Sequence, residues 1–225
     1  MVSKFISSTQ IFAHRGAWKP SLVAGNSEEA LFGAISSGLS LETDIRDQDG
    51  KIVVTHDPER FDGSRLGLDT LLQELELSTD KASMIALNVK SDGLTPILEN
   101  LLSRKVDLRE RLYFFDMSTP ETLRYSKASL PFAVRVSEYE PISNLTAVTW
   151  PTPPRAIWVD GFDGDWFLDD GGGFLLRFAE QQIVTVVSPE LHGRDPERFV
   201  AWFSENAREN RNLTVCTDLP ERFLS

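Results

Sequence analysis

Two carboxylates, Glu42 and Asp44, stand two residues apart within the short apolar run Leu41–Ile45. Alternation along a β-strand places both side chains on one face. Two buried carboxylates side by side repel each other, and a shared divalent cation removes that cost. His14 and His56 lie at the ends of two further apolar runs, where their imidazoles could exchange protons with a substrate. The pattern indicates metal-assisted acid–base chemistry.

Local positive charge accompanies these groups. Arg15 directly follows His14, and Lys90 shares a strand face with Asn88 at the end of another apolar run. The whole chain carries a formal net charge of −11, which argues against a broad basic surface for nucleic acid. An anionic substrate must therefore be held by a metal ion or by a few cations such as Arg15 and Lys90.

Eight short runs rich in apolar, β-branched and aromatic residues predict buried strands, with helical patterns between them. The predicted strands are Ile11–His14, Leu41–Ile45, Ile85–Val89, Leu112–Asp116, Phe132–Val136, Ala156–Val159, Ile183–Val187 and Thr214–Cys216. Helix starts are predicted near Ser27, Ser118 and Asp195, from capping residues followed by acidic residues or proline. Eight β-then-α units predict a single (β/α)₈ barrel, in which catalytic side chains lie at the carboxyl ends of the strands.

An additional run, Lys51–Thr55, follows the second predicted strand through Asp47-Gln48-Asp49-Gly50. This tetrapeptide predicts a tight turn. It does not fit a calcium-binding EF-hand loop, because the twelfth position of such a loop would be His56 where Glu is required.

The length of 225 residues suits one domain that covers residues 1–225. Cys216 is the single cysteine, which excludes an internal disulfide. The segment Met1–Gln10 lacks the apolar core of a signal peptide, and no run reaches the roughly 20 apolar residues of a transmembrane helix. These features favour a cytoplasmic protein with no transmembrane segment, and they leave its oligomeric state open.

Four motifs occur in order at suitable strand ends, and together they resemble the glycerophosphodiester phosphodiesterase family, part of a wider group of phosphatidylinositol-phospholipase-C-like barrels. The resemblance covers residues 11–90 well, and Thr217-Asp218-Leu219-Pro220 is similar to the family's closing strand. The middle of the chain matches only as barrel units. The motifs are Phe12-Ala13-His14-Arg15-Gly16, Gly25-Asn26-Ser27-Glu28-Glu29-Ala30, Leu41-Glu42-Thr43-Asp44-Ile45 and Val54-Thr55-His56-Asp57.

The resemblance implies cleavage of a phosphodiester assisted by Mg²⁺ or Ca²⁺. His14 and His56 would be the general acid and base, in an order that the motifs do not fix. Arg15 would bind the phosphate, with Lys90 beside it, and Glu42 and Asp44 would hold the metal. The attacking group would be either a hydroxyl of the substrate, which yields a cyclic phosphate, or water.

The sequence departs from the family pattern at two places. The family usually has a Glu two residues before the lysine of the third barrel strand, as a third metal ligand, and here that position is Asn88. An amide oxygen can ligate either cation with less charge. Members that act on glycerophosphodiesters also usually carry a sizeable insertion after the His-Asp pair, where this chain has only about Pro58–Leu66. We therefore expect a more open mouth.

Two later segments are further candidates for substrate contacts. His192 follows the seventh predicted barrel strand and should face the same mouth, either as a substrate-binding residue or as an ordinary loop residue. An acidic run from Asp160 to Asp170 contains Trp166 and follows Trp158. It is either a solvated loop or a lid that receives a cationic head group such as choline through cation–π contacts.

Three functions therefore compete. The leading hypothesis is a metal-dependent phosphodiesterase acting on a glycerophosphodiester-like or lipid-derived phosphodiester. The second is a catalytically weakened barrel that binds a phosphorylated ligand, with Asn88 marking the weakened metal site. The third is a sugar-phosphate isomerase, which the sequence disfavours because no Gly-rich phosphate loop follows the last two strands.

Overall fold

Strands and helices alternate along nearly the whole chain. The computed structural model describes residues 6–16, 23–58 and 65–224. The strands are β1 Ile11–His14, β2 Ser40–Gln48, β3 Lys51–Val54, β4 Ile85–Val89, β5 Leu112–Phe115, β6 Ala133–Val136, β7 Ala156–Val159, β8 Ile183–Val187 and β9 Leu213–Thr217. The α-helices are α1 Glu28–Ser36, α2 Leu68–Leu77, α3 Thr95–Ser103, α4 Thr119–Lys127, α5 Ser143–Thr146, α6 Gly173–Ala179 and α7 Glu197–Asn206.

Eight of these strands form one parallel sheet in the order β5-β4-β2-β1-β9-β8-β7-β6, and β3 adds an antiparallel strand to β2. The two ends of this order meet at β5 and β6, which are joined by a single bridge between Phe114 and Phe132. The amide of Phe114 also donates to the carbonyl of Pro131 at 2.9 Å. The sheet is therefore a nearly closed barrel, and the predicted (β/α)₈ fold is confirmed.

All eight predicted barrel strands are present, with small shifts at their ends. β2 continues to Gln48 because it pairs with β3 down to Lys51. β5 stops one residue before Asp116, whose φ of 71° is left-handed and cannot continue a strand. The predicted tight turn is confirmed at Asp49 and Gly50, whose φ values of 51° and 75° suit a two-residue hairpin turn.

The predicted helix caps hold the strand-to-helix connections. The Ser27 hydroxyl accepts from the amide of Ala30 at the start of α1, and the Ser118 hydroxyl accepts from the amide of Glu121 at the start of α4. At α7, the carboxylate of Asp195 accepts from the amide of Glu197 at 3.0 Å. These caps determine where each helix begins and therefore where the preceding strand-to-helix loop ends.

Alternation along the strands divides the core into two layers. Outward-facing side chains pack under the helices in the larger cluster, and inward-facing side chains fill the barrel in the smaller one. Inside the barrel, the rings of Phe115 and Trp158 stack with centroids 3.9 Å apart. The small side chains of Ala86, Ala133 and Ala156 leave room for such rings. The barrel therefore has a packed floor and is not a pore.

Part of one predicted feature lies outside the described residues. Of the short loop Pro58–Leu66, residues 59–64 are not described, so the openness of the mouth on that side stays a prediction. The described helices are short, and none of them combines the length and the apolar character that crossing a membrane requires.

Gly16 lets the chain turn from β1 past the first turn of α1. Its φ is 91°, and a Cβ at this position would lie 2.6 Å from the carbonyl carbon of Ala30. Gly93 has the same φ of 91°, but a Cβ at that position would meet nothing within 4 Å. Both glycines therefore have the same positive φ, but only Gly16 lacks space for a Cβ.

We predict that Gly16→Ala lowers the free energy of unfolding by at least about 2 kcal/mol more than Gly93→Ala, which should cost about 1 to 2 kcal/mol from backbone strain alone. The additional loss arises because the new methyl group contacts backbone atoms of α1, which cannot move without displacing the helix. Urea unfolding of both variants measures the difference. Equal losses would mean that α1 is not packed on this turn.

Candidate active site

The inward-facing side chains change from apolar to polar toward the carboxyl ends of the strands. On β1, Phe12 is followed two residues later by His14, and beyond β9 Asp218 follows Cys216 in the same way. Because inward-facing positions are two residues apart, the polar layer lies directly on the apolar floor. Its members are His14, Glu42, Asp44, Asn88, Lys90, Arg135, Asp160 and Asp218.

His14 is held between two carboxylates. Its Nδ1–H donates to Asp218 Oδ1 at 2.8 Å, and its Nε2 lies 3.9 Å from Glu42 Oε2. Burial lowers the pKa of this imidazole, but the hydrogen bond to Asp218 and the charge of Glu42 outweigh burial, so the pKa of His14 is raised. His14 is therefore an imidazole with a fixed ring orientation and an increased tendency to hold a proton.

Glu42 is a carboxyl group almost out of contact with water. It is 2% exposed and accepts the backbone N–H of Arg15 at 3.2 Å. Burial is the largest influence and raises the pKa of Glu42 to about 7; His14 opposes the rise and the charge of Asp44 adds to it. The carboxyl group can therefore gain or lose a proton, or bind a cation, near neutral pH.

Asp44 is equally buried, but it is surrounded by donors. Asn26 Nδ2 donates to Asp44 Oδ2 at 2.9 Å, Arg15 Nε lies 3.3 Å from the same oxygen, and Lys90 Nζ lies 3.4 Å from Oδ1. The hydroxyl of Thr43 donates to Asn26 Oδ1 at 2.7 Å, which fixes the orientation of the amide. These contacts compensate the buried charge of Asp44 and gather two cations at the mouth.

Lys90 connects Asp44 on β2 to the charged residues that follow β5 and β6. Its Nζ lies 3.7 Å from Asp116 Oδ2, and Asp116 Oδ1 is paired with Arg135 at 2.5 Å. Arg135 also binds Glu140 at 2.5 Å, and its guanidinium lies 5.5 Å from the ring centroid of Phe162. Asp116 after β5 and Glu140 after β6 are thus each paired with a cation.

Asn88 lies beside Asp44 in the sheet, since the two residues are register partners on β4 and β2. Its Oδ1 is buried and has no hydrogen-bond partner among the described residues. An orphaned buried oxygen is costly unless something polar meets it, and oxygen atoms are the ligands that Mg²⁺ and Ca²⁺ prefer. The oxygens of Glu42, Asp44 and Asn88 therefore fit a divalent cation.

The predicted metal ligands nevertheless carry little negative charge. Within residues 6–16, 23–58 and 65–224, no group of three or more Asp, Glu, His or Cys side chains is arranged to hold a metal. The predicted set has two carboxylates and one amide, and Asp44 already contacts two cations.

His56 reaches the mouth from the loop that follows β3. Its imidazole is 44% exposed, and its ring nitrogen Nδ1 bonds Asp57 Oδ1 at 2.9 Å. The backbone there is fixed, because Thr55 N–H donates to the carbonyl of Asp44 at 3.0 Å and Arg46 Nε donates to the carbonyl of His56 at 3.0 Å. The hairpin therefore places His56 beside β2, although its ring makes no direct bond to the carboxylates of that strand.

His192 lies on the opposite part of the mouth. Its Nε2–H donates to Asp160 Oδ1 at 2.7 Å, and the ring of Phe162 meets it edge-on at 5.2 Å. Burial raises the pKa of Asp160, while the hydrogen bond from His192 works against that rise. His192 does face the mouth, as expected, and belongs to a second His–carboxylate pair.

The two tryptophans in and before the acidic run both make contacts within the protein. Trp158 points into the barrel, is 4% exposed and stacks on Phe115. The indole N–H of Trp166 donates to the carbonyl of Asp160 at 2.9 Å, and its ring packs on Phe174. Because Trp158 belongs to the barrel floor, it offers no exposed face to a cationic head group. A lid after β7 would therefore not include Trp158.

Two residues of the site were not given roles from the sequence. Asn26 lies in the motif Gly25–Ala30, but the hydrogen bond from its side-chain amide to Asp44 joins residues that are 18 positions apart. Asp218 was noted only as a polar residue at a strand end, and its bond to His14 spans 204 residues. The available signal for Asp218 was its place after the last strand, which closes the barrel against the first.

Comparison with known proteins supports the fold. No family profile and no curated protein matches this sequence. Glycerophosphodiester phosphodiesterases of Parabacteroides distasonis ATCC 8503 and Agrobacterium tumefaciens str. C58 have similar structures, with TM-scores of 0.63 and 0.64 at 16% and 14% identity. The matches cover 97% and 96% of this chain, and 96% and 99% of theirs.

A third similar structure is a phosphodiesterase of Oleispira antarctica in complex with the product sn-glycerol-3-phosphate. Its TM-score is 0.58 at 14% identity, over 95% of this chain and 94% of that one. At such identities the similarity establishes a shared fold. The fold is the one that the four motifs predicted through their resemblance.

The chain has three histidines, so their imidazole resonances can be separated by NMR. We predict that His14 titrates above the ordinary histidine value in metal-free buffer with EDTA, and that Asp218→Asn lowers its midpoint. The shift is downward because the variant removes the hydrogen bond and charge that raise the pKa and leaves the burial that lowers it. His56 and His192 serve as internal controls; an unchanged His14 midpoint in Asp218→Asn would contradict the assigned contact.

Proposed function

We propose that this protein is a metal-dependent phosphodiesterase that cleaves a glycerophosphodiester-like or lipid-derived phosphodiester, with residues 1–225 forming one catalytic domain. The observation that carries the proposal is the arrangement around His14. The imidazole is held at Nδ1 by Asp218 and faces Glu42, while Asp44 beside it gathers Arg15 and Lys90. The similar fold of phosphodiesterases from three bacteria supports the same reaction class.

Arg15 and Lys90 are the proposed phosphate-binding residues. A guanidinium carries five N–H donors and an ammonium three, so contacts with Asp44 leave both cations able to donate to phosphate oxygens. Both side chains are partly exposed at the mouth, at 35% and 20%. This pair supplies the local positive charge that a chain of net charge −11 needs to hold an anionic diester.

His14 and His56 are the proposed acid–base pair. Asp218 keeps the proton on Nδ1 of His14, so that Nε2 is the atom that accepts or donates a proton. Asp57 holds Nδ1 of His56 in the same way and leaves its Nε2 for proton transfer. His192, fixed by Asp160, is proposed to contact the alcohol portion of the substrate.

Glu42, Asp44 and Asn88 are the proposed ligands of a divalent cation, Mg²⁺ or Ca²⁺. When bound, the cation would add positive charge next to a phosphate oxygen and stabilise the charge that develops there. Its presence would also compensate the burial of Glu42 and meet the orphaned oxygen of Asn88.

A protein that binds a phosphorylated ligand without cleaving it is the second candidate. The specific observation in its favour is that Asp44 is already neutralised by Arg15 and Lys90, while the third predicted ligand is an uncharged amide. In that case the two cations would bind phosphate, and the histidines would serve only to position it.

We predict that His14→Ala and His56→Ala each lower kcat for a cleaved diester by about 10² to 10⁴-fold, because each removes one proton-transfer group. His192→Ala should mainly raise KM, since it removes a substrate contact. Circular dichroism and thermal unfolding should show the fold intact in all three variants.

Val106→Ala is the matched control for these variants. Val106 is 65% exposed and lies just before β5, at the opposite end of the barrel, and the substitution should leave the rate unchanged. Wild-type rates in both His14→Ala and His56→Ala would rule out paired-histidine catalysis.

A further inference from the structure

A second cavity opens beside the proposed site, where β5 and β6 separate. Its volume is about 340 Å³, within the range of small-molecule pockets. Its walls come from the start of α4, from β6 and from the segment after α5, and they combine six apolar residues with Asp116, Thr119, Thr122, Arg135 and Glu140. The apolar residues that line it are Met117, Leu123, Ala133, Val134, Val148 and Trp150.

The cavity exists because β5 and β6 are only partly paired, and we call this junction between the two strands the seam. Below it, a single bridge joins Phe114 to Phe132. Above the bridge, β5 ends as Asp116 turns into a left-handed conformation with a φ of 71°. Consecutive residues of β6, from Ala133 to Arg135, line the space although they face opposite sides of the sheet. The cavity therefore runs along the edge of β6, from the barrel mouth to the helix layer.

The cavity lies close to Lys90, one of the proposed phosphate-binding residues. Asp116 and Arg135 line it, and they are paired with each other at 2.5 Å. Asp116 also lies 3.7 Å from Lys90 Nζ, which in turn contacts Asp44. A phosphate held by Lys90 is thus separated from the cavity by one side chain.

The apolar part of the lining favours an apolar occupant. The carboxylates at the rim, Asp116 and Glu140, share Arg135, and Asp116 also lies 3.7 Å from Lys90 Nζ, so side-chain cations already take the positions that an ammonium group would need. Leu123 and Val148 are 40% and 45% exposed although they line a cavity. Large apolar side chains that border a concave space gain stability when a ligand covers them.

We propose that this cavity binds the alkyl portion of the alcohol that is esterified to the phosphate, so that the substrate is a phosphodiester of a hydrophobic alcohol. This inference rests on the proposed function and deepens it, because it assigns the substrate class to a subsite. Lys90 and Arg15 hold the phosphate, and the seam between β5 and β6 holds the chain.

The test measures binding of methyl, butyl and hexyl phosphate to the full-length protein by calorimetry. Each methylene that enters the cavity should strengthen binding by up to about fourfold, and hexyl phosphate should bind at least about tenfold more tightly than methyl phosphate. Val148→Trp and Leu123→Trp fill the cavity from its exposed rim. Each should remove the increase in affinity with alkyl-chain length and leave the affinity for methyl phosphate unchanged. Val106→Trp is the matched control on a remote exposed valine and should keep the wild-type slope.

The inference would be overturned if the wild type bound the three phosphates equally tightly. It would also be overturned if affinity still increased with alkyl-chain length in both tryptophan variants. Turnover of glycerophosphomethanol distinguishes failure of the alkyl subsite from failure of the proposed function, because a methyl ester does not need the cavity. Loss of that turnover counts against the phosphodiesterase proposal, whereas a flat series with turnover intact counts against the alkyl subsite alone.

Discussion

The burial of two carboxylates on one face of β2 is the constraint on which the rest of the mouth depends. Glu42 and Asp44 are 2% and 1% exposed, and an ionised carboxylate removed from water must be paired or protonated. The protein uses a different solution for each. Asp44 is surrounded by Arg15, Lys90 and Asn26, whereas burial raises the pKa of Glu42 to about 7. One strand thereby presents one carboxylate that is paired with cations and one whose pKa is close to neutral.

The barrel makes this arrangement possible because it has a closed floor. Tyr113, Phe115 and Trp158 fill the interior below the polar layer, and the hydroxyl of Tyr113 is satisfied by Thr185 at 2.7 Å. This packed floor keeps water away from the lower side of the carboxylates, and a less hydrated environment strengthens electrostatic contacts. The seam between β5 and β6 is where the scaffold is least tightly paired, and it is also where the second cavity lies.

The sequence predicted the barrel, the strand positions and two serine helix caps, since these depend on local periodicity and turn chemistry. The shared strand face of Glu42 and Asp44 was also predicted, because spacing along a strand determines which residues lie on the same side. The partnership of His14 with Asp218 depends on closure of the first strand against the last, which no local pattern encodes. The strand position of Trp158 was predicted, but only its stacking on Phe115 in the folded barrel shows that its ring belongs to the floor and not to a lid.

Cleavage of glycerophosphodiesters with and without EDTA tests the central claim most directly. Phosphorus NMR would follow a panel of methyl, ethanolamine, choline and longer alkyl esters in the presence of Mg²⁺ or Ca²⁺. We expect that at least one diester is converted to a phosphomonoester or cyclic phosphate, that EDTA abolishes the conversion, and that excess cation restores it. A protein that binds these diesters but cleaves none with either cation, or one that cleaves them equally fast in EDTA, would contradict metal-dependent cleavage at this site.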